Sequence, residues 1–357
     1  MKKTLVALAV TAFAASASAV TVYENEGTKV DFEGSLRLVL EKSHSKVDGQ
    51  SSKKGHSALR NAGSRMAIKA KHELDSGLYA LSRLELRFDG HTSSSDKFGD
   101  IYAKRAYVGL GHKDFGEVTF GRQLTIGDDI GETGFDYVYG ISPDLLTDAG
   151  NAVVRYDYFG IEGLQLGVNY NFGTDRYTKD DEEKGLGTEN ELKPGKVKNG
   201  YGAGAVYTFP VAEGQKVTLE AGYTRDNYTT GTKQKHYKDA WEVAASYTID
   251  NVKLAIDGSQ AYEKDQGAKI RTSMINVAAK YTFSDIGVGI YGGYGYEHEK
   301  VRGDSDKTRK HKYLIGTDYR LHKQVVTFAE ARIVSNRSDN ETKRTDSNFG
   351  VGMRVFW

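Results

Sequence analysis

The last nine residues, FGVGMRVFW, alternate between large apolar side chains and other residues. One parity consists of Phe349, Val351, Met353, Val355 and Trp357. The other parity places Arg354 among two glycines and one phenylalanine. Successive side chains of a β-strand point to opposite faces, so a period of two predicts a strand with one apolar face. Chain ends are usually polar and poorly ordered. We therefore expect this final strand to lie against a sheet core or against lipid.

The same alternation recurs along most of the chain. In GLQLGVNYNF, one parity consists of Leu164, Leu166, Val168, Tyr170 and Phe172, and the other contains glycine, glutamine and asparagine. We count sixteen such segments, which predict half-buried strands. Their approximate spans are 28–43, 63–74, 77–90, 100–112, 115–123, 151–160, 163–172, 199–209, 215–228, 236–250, 251–264, 269–283, 285–300, 309–321, 323–337 and 346–357.

Short and long connections alternate between these segments. Short turns are predicted at 75–77, 160–163, 210–214, 250–251 and 321–323. Long polar stretches occur at 44–62, 124–150, 173–198 and 301–308. This pattern predicts a meander of antiparallel hairpins, with tight turns at one rim and long loops at the other. No linker or shift in composition divides the segments, so residues 20–357 are predicted to form a single domain.

The second face of nearly every long segment is polar and often charged, which bears on two all-β architectures. A soluble sandwich, with or without an adhesin function, buries two apolar faces against each other. A membrane barrel instead turns its apolar faces to lipid and its polar faces to enclosed water, and it leaves no strand edge unpaired. An even number of ten-residue alternating segments with aromatic residues near their ends favours the barrel. We predict a sixteen-stranded antiparallel transmembrane β-barrel, whose lumen is wide enough for water.

Composition and charge agree with an exported all-β protein. Glycine and tyrosine are abundant, at 41 and 23 residues, and cysteine is absent. The 49 Lys and Arg nearly balance the 48 Asp and Glu, so no overall charge attracts nucleic acid. Residues 1–19 combine two lysines, an apolar run and a small-x-small ending at Ala19, which predicts a cleaved secretory signal peptide. No later apolar run is long enough for a transmembrane helix.

The sequence gives little indication of catalysis. No spacing of histidines indicates a metal site, and no Ser/His or Asp/His constellation indicates hydrolysis. GVGIYG, residues 287–292, matches a dinucleotide-binding pattern, but it lies inside a strand segment instead of preceding a helix. We therefore expect no cofactor, no metal and no enzymatic activity.

Five blocks resemble the Gram-negative general porins, and together they extend the resemblance to essentially the whole of residues 20–357. They are VTVYENEGTKVDFEGSLRL (20–38), SRMAIKAKHEL (64–74), RAYVGL (105–110), GEVTFGRQ (116–123) and NAVVRYD (151–157). They are similar, in order, to the first, second, fourth, fifth and sixth strands of that family. Within the family the chain is most similar to the major porins of Pasteurellaceae.

The resemblance implies a homotrimer of sixteen-stranded barrels in the outer membrane, through which ions and small hydrophilic solutes diffuse passively. It also implies that the third external loop folds inward and faces a ladder of basic side chains. The loop matches 124–150, and its candidate acids are Asp128, Asp129, Glu132 and Asp136. The basic wall consists of Arg65, Arg105 and Arg155 in the matching blocks, and of Arg37 and Arg83, which share the lumen parity.

The sequence departs from the family pattern at two places. The Pro-Glu-Phe-Gly-Gly loop motif is replaced by GETGFDYVYGISPD, which leaves open which acid reaches the narrowest point, and we favour Glu132 and Asp136. The chain ends in Trp357 where the family usually has phenylalanine. The outer-membrane assembly machinery is expected to recognise the apolar parity of the last strand, Phe349, Val351, Met353, Val355 and Trp357.

Several functions remain open at this point. A general diffusion porin fits best, because lumen-parity positions are mostly charged, small or hydroxylated. A substrate-specific channel, which would use an aromatic path along the lumen, and a surface-loop adhesin are the alternatives. The basic loops at 42–60 and 300–312 predict solvated surfaces or contacts with lipopolysaccharide phosphates. A near-zero net charge leaves the sign of any ion preference undetermined.

Overall fold

The computed structural model describes most of the chain. The described residues are 19–50, 53–55, 57–88, 99–142, 145–176, 178–184, 188, 191–230, 234–265, 267–303, 307–339 and 342–357. Residues 1–18, which contain most of the predicted signal peptide, lie outside this set. No helix within these ranges is long and apolar enough to cross a bilayer.

The strands form one antiparallel sheet that closes on itself as a barrel. They are β1 (Val20–Asn25), β2 (Thr28–Val47), β3 (Lys53–Lys54), β4 (Ala58–Asn61), β5 (Arg65–Glu73), β6 (Leu78–Phe88), β7 (Ile101–His112), β8 (Gly116–Leu124), β9 (Ala149–Ile161), β10 (Leu164–Phe172), β11 (Val197–Ala212), β12 (Gln215–Tyr228), β13 (His236–Ile249), β14 (Val252–Asp265), β15 (Ala268–Phe283), β16 (Val288–Val301), β17 (Lys307–His322), β18 (Val325–Ser338) and β19 (Arg344–Phe356). A single α-helical turn, α1 (Lys179–Glu183), lies in the connection after β10.

These nineteen strands fill sixteen positions around the barrel. β3, β4 and β5 all pair with β2 and share one position. β1 pairs with the first part of β2, and β19 pairs with the rest of the same edge, so β1 extends the line of β19. The barrel closes between β19 and β2, where Val351 lies opposite Leu40. The predicted sixteen-stranded antiparallel barrel is confirmed.

The observed bounds differ from the predicted segments in one region. β2 continues to Val47, and β3 and β4 lie within 44–62, which was predicted to be a loop. These residues are strongly polar and lack the apolar parity that a lipid-facing strand requires, so alternation could not reveal them. The sequence pattern does not predict β1 either. Only six residues separate the predicted cleavage site from the first turn, which is too short a stretch for alternation to be recognised.

The faces of the barrel have the polarity of a membrane protein. On β10, Val168 and Phe172 are 50% and 52% exposed on the outer surface, whereas Gln165 and Asn169 are 2% and 6% exposed on the inner side. The other strands repeat this arrangement, so the outer surface carries a band of exposed leucine, isoleucine, valine and aromatic side chains. Soluble monomers rarely expose a continuous apolar surface of this extent, so we conclude that this band faces lipid.

The closing pair of strands also contains a tight glycine contact. The backbone N–H of Gly34 donates to the carbonyl of Trp357 at 2.9 Å, and the N–H of Trp357 donates to Gly34 at 3.1 Å. A Cβ atom at Gly34 would lie 2.5 Å from Cε2 of the Trp357 indole, so only glycine leaves room for the ring. Phe349, Val351 and Met353 of the same parity are exposed on the outer surface.

Candidate functional site

The described residues 125–142 and 145–148, here called the inner loop, follow the end of β8 and lie on the lumen side of the barrel wall. The loop begins with a 3-10 turn at Ile126–Asp129, where the side-chain oxygen of Thr125 accepts a hydrogen bond from the N–H of Gly127. Ile126 is fully buried against β10 and β11. A Cβ atom at Gly167 would lie 2.4 Å from its Cδ1, so the glycine allows the loop to approach the wall this closely.

Three buried acids of the wall, here called the wall acids, bind the backbone of the inner loop. They are Glu220 on β12, Asp257 on β14 and Glu330 on β18. Glu220 accepts from the N–H of Gly131 at 2.6 Å, and Asp257 accepts from Glu132 and Thr133 at 2.9 and 3.1 Å.

Glu330 binds the loop most extensively of the three. Its carboxylate accepts from the backbone N–H of Tyr137, from Val138 at 2.9 Å and from Tyr139 at 3.1 Å. The phenol of Tyr291 donates to the same carboxylate at 2.7 Å. Loop N–H groups that would otherwise need water are therefore satisfied by the barrel wall.

Two small apolar clusters pack beneath the inner loop. The first consists of Ile130, Leu146, Val206, Ala240 and Ala261. The second consists of Tyr139, Ile141, Ala278, Tyr291 and Leu314. Hydrogen bonds and apolar packing together fix the loop against the wall. The loop also reaches β2, where the hydroxyl of Tyr139 donates to Glu41 at 2.9 Å. No contact of the loop with β5 or β6 is seen among the described residues.

Arg155 and Asp129, both predicted site residues, meet at the start of the inner loop. Nη2 of Arg155 contacts the carboxylate of Asp129, and its Nε donates to Asp157 at 2.6 Å. Gln165 donates to Asp129 at 2.9 Å. The arginine is buried between two acids, so its charge is compensated locally and fixes the base of the loop.

The remaining predicted arginines gather on the open wall around an acid that the sequence did not suggest. The carboxylate of Glu85, only 1% exposed, lies 2.6 Å from Nε of Arg87, 2.8 Å from Nη2 of Arg83, 3.5 Å from Nε of Arg105 and 3.9 Å from Nη1 of Arg65. Four guanidinium groups therefore share one carboxylate. Arg83 also contacts Glu33 at 2.7 Å.

Two further arginines extend this group toward the closing strands. Arg37 donates to the hydroxyl of Ser35 at 2.7 Å and interacts electrostatically with Arg65, Arg87 and Arg354. Arg354 donates to the carbonyl of Tyr137, and its guanidinium lies 4.6 Å from the centre of that ring. We call Arg37, Arg65, Arg83, Arg87, Arg105 and Arg354 the arginine cluster.

The loop acids occupy different surroundings. Glu132 forms an ion pair with Lys253 on β14. Asp128 is exposed and interacts electrostatically with Arg105, so it faces the arginine cluster. Burial, together with the nearby negative charge of Glu330, raises the pKa of Asp136 above its ordinary value. The structure therefore brings Asp128 toward the wall arginines and directs Glu132 away to a separate lysine.

Several site residues were not predicted from the sequence. Arg83, Glu85 and Arg87 occupy alternate positions in RLELR, so the period of two that identified Arg83 also contained the other two. Arg354 likewise has lumen parity in the final strand. The wall acids gave no signal, because their partners are backbone groups of a loop about 90 to 190 residues away. Among the described residues, no group of three potential metal ligands is arranged to bind a metal ion.

Comparison with known proteins gives the class of this barrel. A family model described as Gram-negative porin matches residues 4–339. The major outer membrane protein of Pasteurella multocida is 32% identical over 372 aligned residues, with 99% of each chain covered. The protein of that name from strain Pm70 is 33% identical over 376 residues with the same coverage.

Solved structures share the fold at lower identity. OmpT of Vibrio cholerae matches with a TM-score of 0.68 at 20% identity, over 95% of this chain and 100% of that one. An anion-selective porin from Comamonas acidovorans matches with a TM-score of 0.67 at 20% identity, over 92% and 100%.

The barrel with its lipid-facing surface and polar lumen is thus a multi-pass channel of the outer membrane. This chain belongs to the Gram-negative porin family and is a general diffusion channel. Its similarity to the major outer membrane proteins of Pasteurella multocida confirms the resemblance to the major porins of Pasteurellaceae. Membership of this family indicates a channel and not an enzyme.

Proposed function

We propose that the lumen is narrowest between the inner loop and the arginine cluster, and that this narrowing gives the channel a preference for anionic hydrophilic solutes. The observation that carries the proposal is the sharing of Glu85 by four arginines. Six arginines and Lys69, which pairs with Glu33 at 2.7 Å, face two acids, Glu33 and Glu85. The formal charge of these nine side chains is therefore 7 − 2 = +5.

The acids on the opposite side compensate little of this charge within the water-filled space. The wall acids are at most 8% exposed and lie behind the inner loop, where backbone N–H groups bind them. Asp129 and Glu132 are each paired with a base. The side chains of Arg65 and Arg105 remain 28% and 21% exposed to the lumen. Mobile ions therefore encounter more guanidinium than carboxylate.

The arrangement also creates an electric field across the lumen. Arginines on one wall and the acids Asp128 and Asp136 on the loop orient water and dipolar solutes between them. An apolar solute must displace this oriented water, which is unfavourable, so polar solutes pass more readily. Like charges within the arginine cluster repel one another, and Glu85 together with lumen water reduces that repulsion.

Reversal potentials in planar bilayers under a salt gradient test this proposal. Arg105→Glu changes the wall charge by two and should shift the reversal potential toward cation preference. Arg271→Glu, the same charge change on the outer surface of β15, is the matched control and should leave the potential unchanged. If Arg105→Glu and the unmodified protein have equal reversal potentials, Arg105 does not lie in the narrow region that determines ion preference.

We also propose that the channel is a homotrimer. A related Vibrio cholerae protein is known in a trimer form, and the sequence resemblance implies the same assembly. Native mass spectrometry of the purified protein in detergent should give three copies, and bilayer conductance should rise in groups of three equal steps. A single copy with isolated steps would reject this assembly while leaving the channel itself intact.

The two ends of the chain are proposed to direct export and assembly. We propose that residues 1–19 are removed on export, so that residues 20–357 form the barrel. The apolar parity of the last strand, ending in Trp357, is proposed to be recognised by the outer-membrane assembly machinery. The exposed outer positions of Phe349, Val351 and Met353 support this, because a recognition strand must present its side chains before insertion.

A further inference from the structure

A cluster of basic side chains lies on the outer surface of the barrel, away from the lumen. It surrounds a cleft of about 330 Å³ near the loop rim. The cleft is lined by Tyr262, Lys269, Arg271, Lys300, Arg302 and Gly303. We call this site the outer basic cleft. It belongs to β14, β15, β16 and the connection that follows β16.

Strand parity shows that these side chains point outward. On β15, Arg271 shares its parity with Ile275 and Val277, which are 46% and 42% exposed in the apolar band. Met274 and Asn276, on the other parity, are buried on the lumen side. The cations therefore lie on the same surface as the lipid-facing residues.

The four cations lie close together on two neighbouring strands. Arg271 is directly opposite Lys300, and the N–H of Arg302 donates to the carbonyl of Lys269 at 2.8 Å. Adjacent strands are about 4.8 Å apart and alternate residues about 6.6 Å apart along a strand, so all four Cα atoms fall within one headgroup-sized patch. Within the part of the chain that the structure describes, none of the four forms an ion pair with a carboxylate.

The surface changes character in a regular order below the cleft. Moving from the loop rim toward the short turns, the paired positions are Arg271 with Lys300, Ser273 with His298, and Ile275 with Tyr296. Cations thus lie above an aromatic and then an apolar surface. Long loops of outer-membrane barrels face the cell exterior, so this order matches phosphate groups, sugar and acyl chains of the outer leaflet.

We propose that the outer basic cleft is a binding site for a phosphorylated glycolipid of the outer leaflet. Lysine and arginine would contact the phosphate oxygens, and Tyr262, opposite Arg271, would donate its hydroxyl to the same headgroup. The acyl chains would lie along Ile275 and Val277. Inorganic phosphate could pair with the cations, but it would make no contact with the apolar surface directly below them. A glycolipid would contact both. The site is independent of the lumen and of the proposed ion preference.

Native mass spectrometry of the full-length mature protein in detergent tests the site. Purified bis-phosphorylated lipid A is the probe, and a fully dephosphorylated lipid A and inorganic phosphate are the comparison ligands. The unmodified protein should retain the bis-phosphorylated lipid at least tenfold more strongly than the dephosphorylated form. Millimolar inorganic phosphate should not displace it. Equal retention of the two lipids, or full displacement by phosphate, would overturn the proposal.

Paired charge reversals locate the binding. Arg271→Glu with Lys300→Glu should weaken lipid retention at least tenfold. The matched control is Lys113→Glu with Lys323→Glu, the same charge change at two exposed lysines in turns of the opposite rim. The control should retain the lipid. Unit conductance in bilayers should be unchanged in both variants and thus reports correct folding. Equal retention by the two double variants would overturn the assignment to this cleft.

Discussion

The carboxylate of Glu330 accepts a hydrogen bond from the backbone N–H of Tyr139 at 3.1 Å, across 191 residues of sequence. With the bonds from Tyr137 and Val138, one side chain on β18 satisfies three consecutive loop N–H groups. Backbone groups near the pore centre would otherwise be free to bind water and move. This contact therefore holds residues 137–139 of the inner loop against the wall, alongside the bonds from the other two wall acids.

Replacing Glu330 by glutamine should loosen the inner loop without unfolding the barrel. The neutral amide accepts fewer hydrogen bonds than the carboxylate, and a buried N–H left without an acceptor costs about 1–3 kcal/mol. Hydrogen exchange of the amides at 137–139 should accelerate by about ten- to a hundredfold, and single-channel current noise should increase.

Glu299→Gln serves as the control for that variant. Glu299 also has lumen parity, and its hydrogen bond is with Thr272 of the wall and not with the loop. Exchange at 137–139 should match that of the unmodified protein. If Glu330→Gln likewise leaves those amides protected, the loop is positioned by its apolar packing and not by Glu330.

A charge in the middle of the outer surface should destabilise the barrel strongly. Val168 lies halfway along β10, and an arginine facing lipid at this depth should cost about 2–4 kcal/mol. Phe172→Arg, on the same face next to the loop rim, should cost only about 0–1 kcal/mol. Urea-dependent folding into lipid vesicles measures both. Equal costs at the two positions would contradict the assigned lipid-facing band.

Ion preference should depend on pH through Asp136. Its pKa is raised by burial and by Glu330, so this carboxyl gains its proton at a higher pH than an ordinary aspartate. As pH falls, the loop loses negative charge early and anion preference should increase. The folded state disfavours the charged form, so this group makes the loop less stable as pH rises through the raised pKa.

Asp136→Asn should remove this pH-dependent component of the reversal potential. Asp175→Asn, at an exposed position after β10, is the control and should preserve it. A titration curve of Asp136→Asn that superposes on that of the unmodified protein would assign the pH response to other groups.

Trp357 should matter for assembly through its aromatic ring. Its indole covers Gly34 at the barrel closure, and phenylalanine can fill part of the same space. Trp357→Phe should give near-normal yields of folded protein in the outer membrane, and Trp357→Ala should reduce them. Heat-dependent electrophoretic mobility of membrane extracts measures folded protein. Equal yields from both variants would show that assembly into the outer membrane does not depend on the terminal aromatic ring.

The strands were largely predictable because each one lies between two solvents. Lipid on one side and water on the other impose a period of two, which defined β12 without error at 215–228 and most other strands within a few residues. β4, at Ala58–Asn61, has only four residues and a single exposed apolar side chain, Leu59, so no repeating pattern marks it. Alternation detects the membrane-spanning part of a strand and not its extension into the loop region.

The pore interior was predictable only in part. The family resemblance indicated Arg65, Arg105 and Arg155, and lumen parity indicated Arg37 and Arg83, because all five lie in strands. The role of Arg155 depends on where Asp129 lies, and that position follows from the path of the inner loop. No local pattern encodes this path, since it is determined by hydrogen bonds to distant wall acids and by packing of Ile126 over Gly167. Glu85 could have been found from its period-two spacing between two arginines.

The central claim is that guanidinium groups dominate the narrow region of the lumen. Its most direct test is the zero-current potential of the unmodified protein in a planar bilayer, under an about tenfold gradient of potassium chloride at neutral pH. We predict a potential with the sign of chloride preference. A potential with the sign of potassium preference would contradict it, because the exposed arginines around Glu85 would then not control ion passage.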